Sequence, residues 1–544
     1  MQQKPALEAM QKSVPADGRL WTLLETRAQA APDALAFIDG EQGVTNTGFH
    51  RLCAQAAHWL RGQGMGRGDM VAVWLVNRVE WLALYFGAAR VGATLVSVNT
   101  RYRSEEVTHI LKQSNARMLV LQPSFRKIDF AAILDGMDGA ALPALEKLAV
   151  LDRDPGTPAQ LLGRPVVALE LESELADAGT DDGDPDAPGI LFTTSGTTKG
   201  PKLVMHPQRT ITGHAWRCAW AVGLDQPGAA MLTMLPFCGV FGLNGALAAF
   251  AGGAPVVLLD TFDGATAADL LNRHKVTHTF GSDEMYRRMA DLTPGKRPFP
   301  HARFFGFGAF TSAFDEYALA AWQRGIPLIG LYGSSEVLAL WSAQAMHLPV
   351  EQRIQGGGVP VAGAEASIRI RDIETGALLP AGQSGEIELK GPTNFLGYYN
   401  NPEATSEALL DDGFFRTGDL GHLREDGSLV YETRMGDVIR LGGFLVNPVE
   451  IEEVLKRFPG VADAQVVAID IGGQLRPVAF VIAAAGQSLA EAALVAAARE
   501  QMAAFKVPAR VWFVDSYPVT QSSNGMKTQR NKLRDMARER LAQG

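Results

Sequence analysis

The chain has 544 residues, several times the ~100 to 200 residues of a typical domain, so more than one hydrophobic core is expected. Fifty Lys and Arg residues against fifty-nine Asp and Glu residues give a formal net charge of −9, with no concentrated basic stripe, which disfavours nucleic-acid binding. Cys53, Cys218 and Cys238 are too widely spaced for a disulfide framework or a CxxC metal site, and they fit a reducing compartment.

The first 17 residues contain no apolar segment of the kind found in signal peptides, so the sequence predicts a cytoplasmic protein. Residues 229–259 carry no charge and are long enough to span a bilayer. However, Pro236, Asn244, Pro255 and five glycines divide this stretch into short apolar pieces. The pattern favours a buried strand and a glycine-rich core helix, and no integral membrane segment.

Residues 64–98 show the alternation of strand, helix and strand that is typical of a βαβ unit. The same alternation returns at 229–259 and at 267–280. These segments predict an α/β fold with mostly parallel sheets flanked by helices. In the first unit the predicted elements are a strand over Met70–Leu75, a helix over Glu80–Val91 and a strand over Ala93–Val98.

Acidic residues cluster among Gly and Pro between Asp152 and Pro188. This composition predicts a solvated connector, with a cation site as the weaker alternative.

The ten residues from Thr193 to Lys202, TTSGTTKGPK, combine hydroxyls, glycines and lysines directly after an apolar strand predicted over residues 189–192. Hydroxyls and lysine ammonium groups donate to phosphate oxygens, and glycines let backbone N–H groups approach them. The composition therefore indicates a polyphosphate loop, with an ordinary polar turn as the alternative. The G-x-x-x-x-G-K-[ST] spacing of a Walker loop is absent, which disfavours P-loop chemistry.

Beyond Tyr399 the predicted strands become short and turn signals multiply. The chain then passes through Arg-Met-Gly-Asp-Val-Ile-Arg-Leu-Gly-Gly at 434–443 into an amphipathic helix predicted over Pro448–Phe458. A domain boundary is expected here.

The loop at 193–202 resembles the S-G-T-T-G-x-P-K phosphate loop of the adenylate-forming enzymes, which include acyl-CoA synthetases, luciferases and peptide-synthetase adenylation domains. Further strings resemble that family in the expected order and cover nearly the whole chain. They are Tyr332–Glu336, Thr417–Asp419, Arg434 with Asp437, Gly443 with Pro448 and Glu450, and Asn524–Lys527 with Arg530, Leu533 and Arg534.

The resemblance implies an acid:CoA ligase with two domains. Residues 1–434 would form a large domain of mostly parallel sheets that binds AMP and the acyl group, and residues 435–544 a small mobile α/β domain, with the pivot at Gly436. The implied reaction joins a carboxylate to ATP as acyl-AMP with release of pyrophosphate, then transfers the acyl group to CoA. ATP, Mg²⁺ and CoA as cosubstrate are the implied cofactors.

The resemblance also implies roles for individual residues. Lys527 would assist adenylation, Glu336 would bind Mg²⁺ and Ser335 would lie near the α-phosphate. Asp419 and Arg434 would hold the ribose, and Gly443 would border the pantetheine tunnel. The adenine slot is expected to consist of Gly308, Ala309, Tyr332 and Gly333, and the phosphate loop of Thr194, Ser195, Gly196, Thr197, Thr198, Lys199 and Lys202.

Three residues depart from the family pattern. Lys199 replaces the usual loop glycine, Gly436 stands at a hinge position that is commonly Asp or Lys, and Gly239 stands where many relatives have a histidine. The predicted acyl pocket is apolar and indicates a hydrophobic carboxylic acid, either fatty, alicyclic or aryl. Its predicted residues are Phe237, Cys238, Gly239 and Phe241.

Two other functions stay open at this stage: a stand-alone adenylating enzyme that loads a carrier protein, and a degenerate nucleotide-binding regulator. The expected partners are a small carboxylic acid, ATP and CoA, without nucleic acid. The oligomeric state is undetermined, with a homodimer as one candidate.

Overall fold

A computed structural model describes residues 13–126, 128–153, 156–171, 178–194, 201–308, 315–435, 439–441, 444–446, 448–472, 474–502, 504, 506–522 and 525–542. The predicted site residues outside these ranges are Ser195, Gly196, Thr197, Thr198, Lys199, Ala309, Gly436 and Gly443.

The first part of the chain, up to residue 222, alternates strands and helices. Its strands are β1 (Leu35–Asp39), β2 (Gln42–Thr45), β3 (Met70–Trp74), β4 (Thr94–Ser97), β5 (Met118–Leu121), β6 (Ser124–Phe125), β7 (Ile128–Asp129), β8 (Lys147–Val150), β9 (Gln160–Leu161), β10 (Arg164–Ala168), β11 (Pro188–Thr193) and β12 (Leu203–Pro207). Its helices are α1 (Leu20–Ala30), α2 (Asn46–Gly62), α3 (Val79–Val91), α4 (Ser104–Ser114), α5 (Phe130–Asp135) and α6 (Gln208–Val222).

The middle part continues this alternation and then becomes rich in strands. Its strands are β13 (Met231–Thr233), β14 (Val256–Leu258), β15 (His278–Ser282), β16 (Phe304–Gly308), β17 (Leu328–Tyr332), β18 (Ser342–Ala343), β19 (Gly357–Pro360), β20 (Ser367–Arg371), β21 (Gly385–Lys390), β22 (Gly397–Tyr398), β23 (Phe415–Leu423) and β24 (Leu429–Arg434). Its helices are α7 (Val240–Gly252), α8 (Gly264–Arg273), α9 (Asp283–Asp291), α10 (Asp315–Gln323), α11 (Val350–Arg353) and α12 (Pro402–Ala408).

The last part is smaller. Its strands are β25 (Ile439–Leu441), β26 (Phe444–Val446), β27 (Val461–Ile471), β28 (Gln474–Ala483), β29 (Arg510–Phe513), β30 (Val519–Ser522) and β31 (Gly525–Thr528). Its helices are α13 (Pro448–Lys456), α14 (Glu491–Gln501) and α15 (Arg530–Ala542).

Two large mixed sheets dominate the described residues. One has thirteen strands in the order β2-β1-β14-β13-β15-β16-β17-β18-β19-β24-β23-β21-β20, and the other has nine in the order β22-β12-β11-β4-β3-β5-β8-β10-β9. The run from β1 to β17 in the first sheet and the run from β11 to β10 in the second are parallel. The predicted α/β class is confirmed, and the antiparallel half from β18 to β20 is an addition to it.

The uncharged stretch 229–259 forms β13, α7 and β14, as its interrupted pattern predicts. α7 packs directly against the preceding turn: a Cβ on Gly242 would lie 2.6 Å from the carbonyl oxygen of Leu235, so only glycine fits there. Within the described ranges, no helix has both the length and the apolar character required to cross a membrane.

The described part of the acidic connector has two features beyond its prediction. β10 belongs to the nine-stranded sheet, and three of the later carboxylates, Asp181, Asp182 and Asp186, pair with arginines. Asp181 lies 2.9 Å from Arg19 and 3.1 Å from Arg90, and Asp186 lies 2.6 Å from Arg209. The described end of this segment is therefore held by ion pairs to α3, α6 and the residue preceding α1, which composition alone does not reveal.

The last part of the chain has a core of its own, in which Ile451, Leu455, Val466 and Val481 are buried between α13 and the sheet β27-β28-β29. The domain boundary predicted at 434/435 follows β24, which in chain order is the last strand of the thirteen-stranded sheet. The boundary stays a prediction.

Candidate adenylation site

Three of the predicted nucleotide residues meet around one buried carboxylate. Asp419 is 4% exposed and accepts two short hydrogen bonds: Oδ2 from the Tyr332 hydroxyl and Oδ1 from Nη1 of Arg434, each at 2.6 Å. Tyr332 ends the parallel strand β17, whereas Asp419 and Arg434 are direct partners across β23 and β24. We call these three residues the Asp419 cluster.

The electrostatics of the Asp419 cluster favour one protonation pattern. The Asp419 carboxylate raises the pKa of Arg434, so the guanidinium keeps its charge. Burial first, and then the negative charge of Asp419, raise the pKa of Tyr332, so its phenol stays neutral and donates. A carboxylate offers about four lone-pair sites, so Asp419 retains capacity to accept the hydroxyls of a sugar.

Tyr431 contacts this cluster and was missed by sequence reasoning. Its ring centroid lies 5.5 Å from that of Tyr332, with the planes inclined by 32°. It lies in β24, and an isolated tyrosine in a short strand gives no functional signal.

The small residues of the predicted adenine slot lie at strand ends. Gly308 ends β16 opposite Ser282 of β15, and Gly333 follows β17 directly. A Cβ on Gly333 would lie 2.8 Å from the carbonyl oxygen of Leu338 and 2.9 Å from Cα of Ala339. Glycine at 333 is therefore required by a close backbone approach.

A second group forms around Glu336, just beyond Gly333. Its Oε1 accepts a hydrogen bond of 2.9 Å from the Tyr398 hydroxyl, and its backbone carbonyl accepts one of 2.8 Å from the N–H of Phe395. The Lys202 ammonium lies 4.5 Å from the centroid of the Tyr398 ring. We call Lys202, Glu336 and Tyr398 the Glu336 cluster; the resemblance did not indicate Tyr398.

The two ends of the predicted phosphate loop are joined. The N–H of Thr194 donates to the carbonyl of Lys202 at 3.0 Å, and the N–H of Lys202 donates to Oγ1 of Thr194 at 3.2 Å. Both residues lie at the ends of the antiparallel pair β11 and β12. The described residues therefore bring Lys202 to the carboxyl end of β11, where a parallel sheet commonly binds its ligand.

Two buried histidines of the β12–α6 region hold the backbone that carries Ser335 and Glu336. Nε2 of His206 lies 2.7 Å from the carbonyl oxygen of Ser335, and Nε2 of His214 lies 2.7 Å from that of Ala339. Burial lowers the pKa of each ring to about 4, so both are neutral and donate through Nε2.

The backbone segment behind Glu336 is strained. Leu338 and Leu340 adopt φ values of 63° and 65°, in the left-handed region that costs roughly 1–2 kcal/mol for a residue with a Cβ. Such a conformation persists where surrounding contacts over-determine it, and it is common beside binding sites. The contact of His214 with the intervening Ala339 is one such constraint.

The predicted acyl residues lie in the turn before α7 and in its first turn. Phe237, Cys238 and Phe241 are buried, and burial raises the pKa of the Cys238 thiol to about 11, so it is a neutral apolar group. The Phe241 ring lies 6.1 Å from that of Phe280. Gly239 is the buried residue that precedes α7.

Lys527 lies in β31, opposite Thr520 in the two-stranded ribbon with β30. Arg530, three residues later, pairs with the fully buried Glu452 at 2.7 Å and donates to the carbonyl of Val466 at 2.8 Å. Arg530 of the C-terminal motif thus ties the start of α15 to α13 and β27. Lys506 pairs with Glu450 at 2.5 Å.

Comparison with known proteins gives a consistent family. The profile described as AMP-binding enzyme matches residues 24–399, and that of the AMP-binding enzyme C-terminal domain matches residues 450–524. The chain belongs to this family of AMP-binding enzymes, which confirms the resemblance carried by its motifs.

Individual relatives cover nearly the full chain. A Mycobacterium tuberculosis protein named 3-[(3aS,4S,7aS)-7a-methyl-1,5-dioxo-octahydro-1H-inden-4-yl]propanoyl:CoA ligase is 32% identical, over 94% of this chain and 98% of its own. The fatty acid–[acyl-carrier-protein] ligase ScoC of Streptomyces coeruleorubidus is 33% identical, over 95% and 96%. The crystal structure of ATP-bound MatB from Rhodopseudomonas palustris matches with a TM-score of 0.79 at 26% identity, covering 96% of this chain and 99% of that one.

Proposed function

We propose that the protein is an ATP-dependent acid:CoA ligase that activates a hydrophobic carboxylic acid. The observation that carries the proposal is the Asp419 cluster, in which residues 87 positions apart in sequence meet around one buried carboxylate. Family membership supports the same reading, because the relative from Mycobacterium tuberculosis is named as a CoA ligase.

The reaction has two steps. The acid carboxylate displaces pyrophosphate from ATP to give acyl-AMP, and the thiol of CoA then displaces AMP to give the thioester. The first step replaces hydroxide by a better leaving group, so the protein contributes mainly positioning and charge neutralisation. Asp419 and Arg434 hold the ribose, Lys202 contacts phosphate oxygens, and Lys527 contacts the carboxylate and the α-phosphate.

Glu336 fits a magnesium ion that is shared with the nucleotide. Mg²⁺ commonly takes one or two carboxylates together with phosphate oxygens, rather than a cage of protein ligands. When bound, the ion would neutralise charge on the phosphates.

The acid is hydrophobic, with fatty, alicyclic and aryl acids as the candidate classes. The support is the apolar, buried character of Phe237, neutral Cys238 and Phe241, with no side chain at Gly239. The name of the Mycobacterium tuberculosis relative describes an alicyclic propanoyl group, which favours including fused-ring acids in a substrate screen. An amino-acid substrate is disfavoured, since Cys238 stands near the position where adenylation domains place an aspartate for the amine.

Pyrophosphate release tests the proposal. Acids of graded length and ring content are supplied with ATP, Mg²⁺ and CoA, and acid-dependent pyrophosphate and thioester are measured. We expect release with at least one hydrophobic acid and strong loss in Asp419→Ala. Absence of release across the whole panel would contradict the ligase and favour a nucleotide-binding regulator.

A second candidate is an enzyme that loads the acyl group onto a carrier protein. It is favoured by the similarity to ScoC, which is named as a ligase for an acyl carrier protein. The same assay separates the two when CoA and a phosphopantetheinylated carrier are offered in turn. Faster thioester formation on the carrier would select this alternative.

A further inference from the structure

We propose that Tyr398 is a positioning residue of the candidate phosphate site, where its hydroxyl orients the Glu336 carboxylate and its ring face holds the Lys202 ammonium. The inference rests on the proposed function, in which these two charges face the nucleotide phosphates.

The backbone of Tyr398 is held from two sides. β22 lies at the edge of the nine-stranded sheet and pairs with β12, so Tyr398 is opposite Val204, two residues from Lys202. The N–H of Tyr398 donates to Oγ1 of Thr405 in α12 at 2.9 Å. The ring is therefore fixed relative to the strand that leads out of the phosphate loop.

The hydroxyl of Tyr398 reaches Glu336, in the connection between β17 and β18 of the other large sheet. It lies 2.9 Å from Oε1 of Glu336, and the N–H of Phe395 lies 2.8 Å from the carbonyl oxygen of the same Glu336. The Phe395 and Tyr398 rings pack edge to face at 4.9 Å. Residues 395–398 thus hold both the main chain and the side chain of Glu336, and a hydrogen bond to a charged acceptor restricts its carboxylate to few orientations.

The side chain of Tyr398 contacts two opposite charges at different positions. Lys202 lies over its face at 4.5 Å, while Glu336 bonds to its hydroxyl edge. No ion pair links Lys202 to Glu336 in the described part of the chain, although a direct pair would leave less of each charge for a ligand. Tyr398 stabilises the cation through its π face and the anion through its donor, and it keeps both charges from neutralising each other.

A purely structural tyrosine makes a different prediction. If the side chain only fills space, removing the hydroxyl changes stability but leaves the response to Mg²⁺ unaltered. If it positions Glu336, removing the hydroxyl changes the response to Mg²⁺, and removing the ring also changes nucleotide binding without the ion.

The test compares Tyr398→Phe, Tyr398→Leu and the matched control Tyr399→Phe with the wild type. Tyr399 is half-buried beside the site and packs against a different hydrophobic cluster, so Tyr399→Phe deletes a hydroxyl without touching Glu336. Two quantities are measured: the Mg²⁺ dependence of pyrophosphate release at saturating ATP, and the equilibrium affinity for a non-hydrolysable ATP analogue, without acid, in the presence and absence of Mg²⁺.

For Tyr398→Phe we expect the Mg²⁺ concentration at half-maximal rate to rise about tenfold, the scale of one hydrogen bond to a charged group, with kcat at saturating Mg²⁺ little changed. Analogue affinity should fall about tenfold with Mg²⁺ and stay near the wild-type value without it. Tyr398→Leu should also weaken binding without Mg²⁺, because Lys202 loses its ring contact.

The proposal is overturned if Tyr398→Phe titrates with Mg²⁺ like the wild type and Tyr399→Phe. It is also overturned if analogue affinity falls equally with and without Mg²⁺, since that result indicates general loosening. Failure of the proposed function has a separate signature, which is wild-type protein that releases no pyrophosphate with any acid while still binding the analogue.

Discussion

The Asp419 cluster and the Glu336 cluster each centre on one carboxylate, but they satisfy its charge in opposite ways. Asp419 is buried, and both of its oxygens take 2.6 Å hydrogen bonds, one of them from a cation. Glu336 is half-buried, its carboxylate accepts a hydrogen bond from the neutral phenol of Tyr398, and the nearby Lys202 lies over the face of the same ring. In the proposed function, the first cluster would receive the ribose with its hydrogen bonds already formed, whereas the second would offer two unlike charges to the phosphates and their ion.

The sharpest way to break this comparison is to remove Asp419. Asp419→Ala deletes the acceptor proposed for two ribose hydroxyls, each hydrogen bond worth about 1.5–3 kcal/mol, so kcat/KM for ATP should fall about a thousandfold. Steady-state pyrophosphate release measures this fall in kcat/KM. The control is Asp426→Ala, which removes a carboxylate from the β23–β24 turn, where it accepts from Ser428 at 2.9 Å. Equal effects of the two variants would mean that Asp419 serves only the fold.

Lys527 lies in the last part of the chain and belongs to neither cluster, but it is the cation proposed for the α-phosphate. Lys527→Ala should lower acyl-AMP formation about a hundredfold or more, the scale of one lost charge-stabilising donor, and spare thioester formation from supplied acyl-AMP. The exposed Lys532 of α15 offers a matched control as Lys532→Ala. Loss of both half-reactions together would indicate a folding role.

The predicted acyl residues before and in the first turn of α7 form a third region, in which shape and not charge is expected to select the ligand. Gly239→His inserts a ring at the buried residue before α7, and overpacking of ~1 to 3 kcal/mol corresponds to about ten- to a hundredfold. Activity should fall with the largest acids and persist with the smallest, and KM for ATP should hardly change. A uniform loss over all acid sizes would place Gly239 outside the acyl pocket.

The smallest effect concerns the histidines behind the Glu336 cluster. The pKa of His214 is lowered from 6.5 to about 4, so the unfolded chain binds its proton first and stability is lost as pH falls from about 6.5 towards 4. By pH 5.5 this costs about 1 kcal/mol for one histidine. His214→Gln should be less stable than the wild type at pH 7.5, and the gap should narrow by that amount at pH 5.5, as measured by urea unfolding. If the difference in unfolding free energy is the same at both pH values, the lowered pKa of His214 is contradicted.

The sequence identifies the Asp419 cluster far better than the Glu336 cluster. Thr417-Gly418-Asp419, Tyr332 and Arg434 belong to strings with family spacing, and strand pairing brings all three residues together. Tyr398 and His206 lie outside these strings. Their contacts with Ser335 and Glu336 depend on the pairing of β12 with β22, almost 200 residues later in the chain, and on the packing of the nine-stranded sheet beside the thirteen-stranded sheet. No local periodicity encodes such a contact. The arginines that pair with Asp181 also lie far from it in sequence, so local patterns do not reveal those ion pairs either.

The pairing of β1 with β14 has a consequence for how the chain is made. Phe37 of β1 is opposite Val256 of β14. The hairpin β1–β2 therefore emerges from the ribosome some 200 residues before β14, the strand that pairs with the free side of β1. At ~5–20 residues per second, that interval is about 10–40 s. Throughout it, an unpaired strand with apolar residues such as Phe37 is open to wrong partners, including neighbouring nascent chains on one message. Until β14 is made, the hairpin β1–β2 lacks its parallel partner, and slow translation before residue 256 lengthens that period.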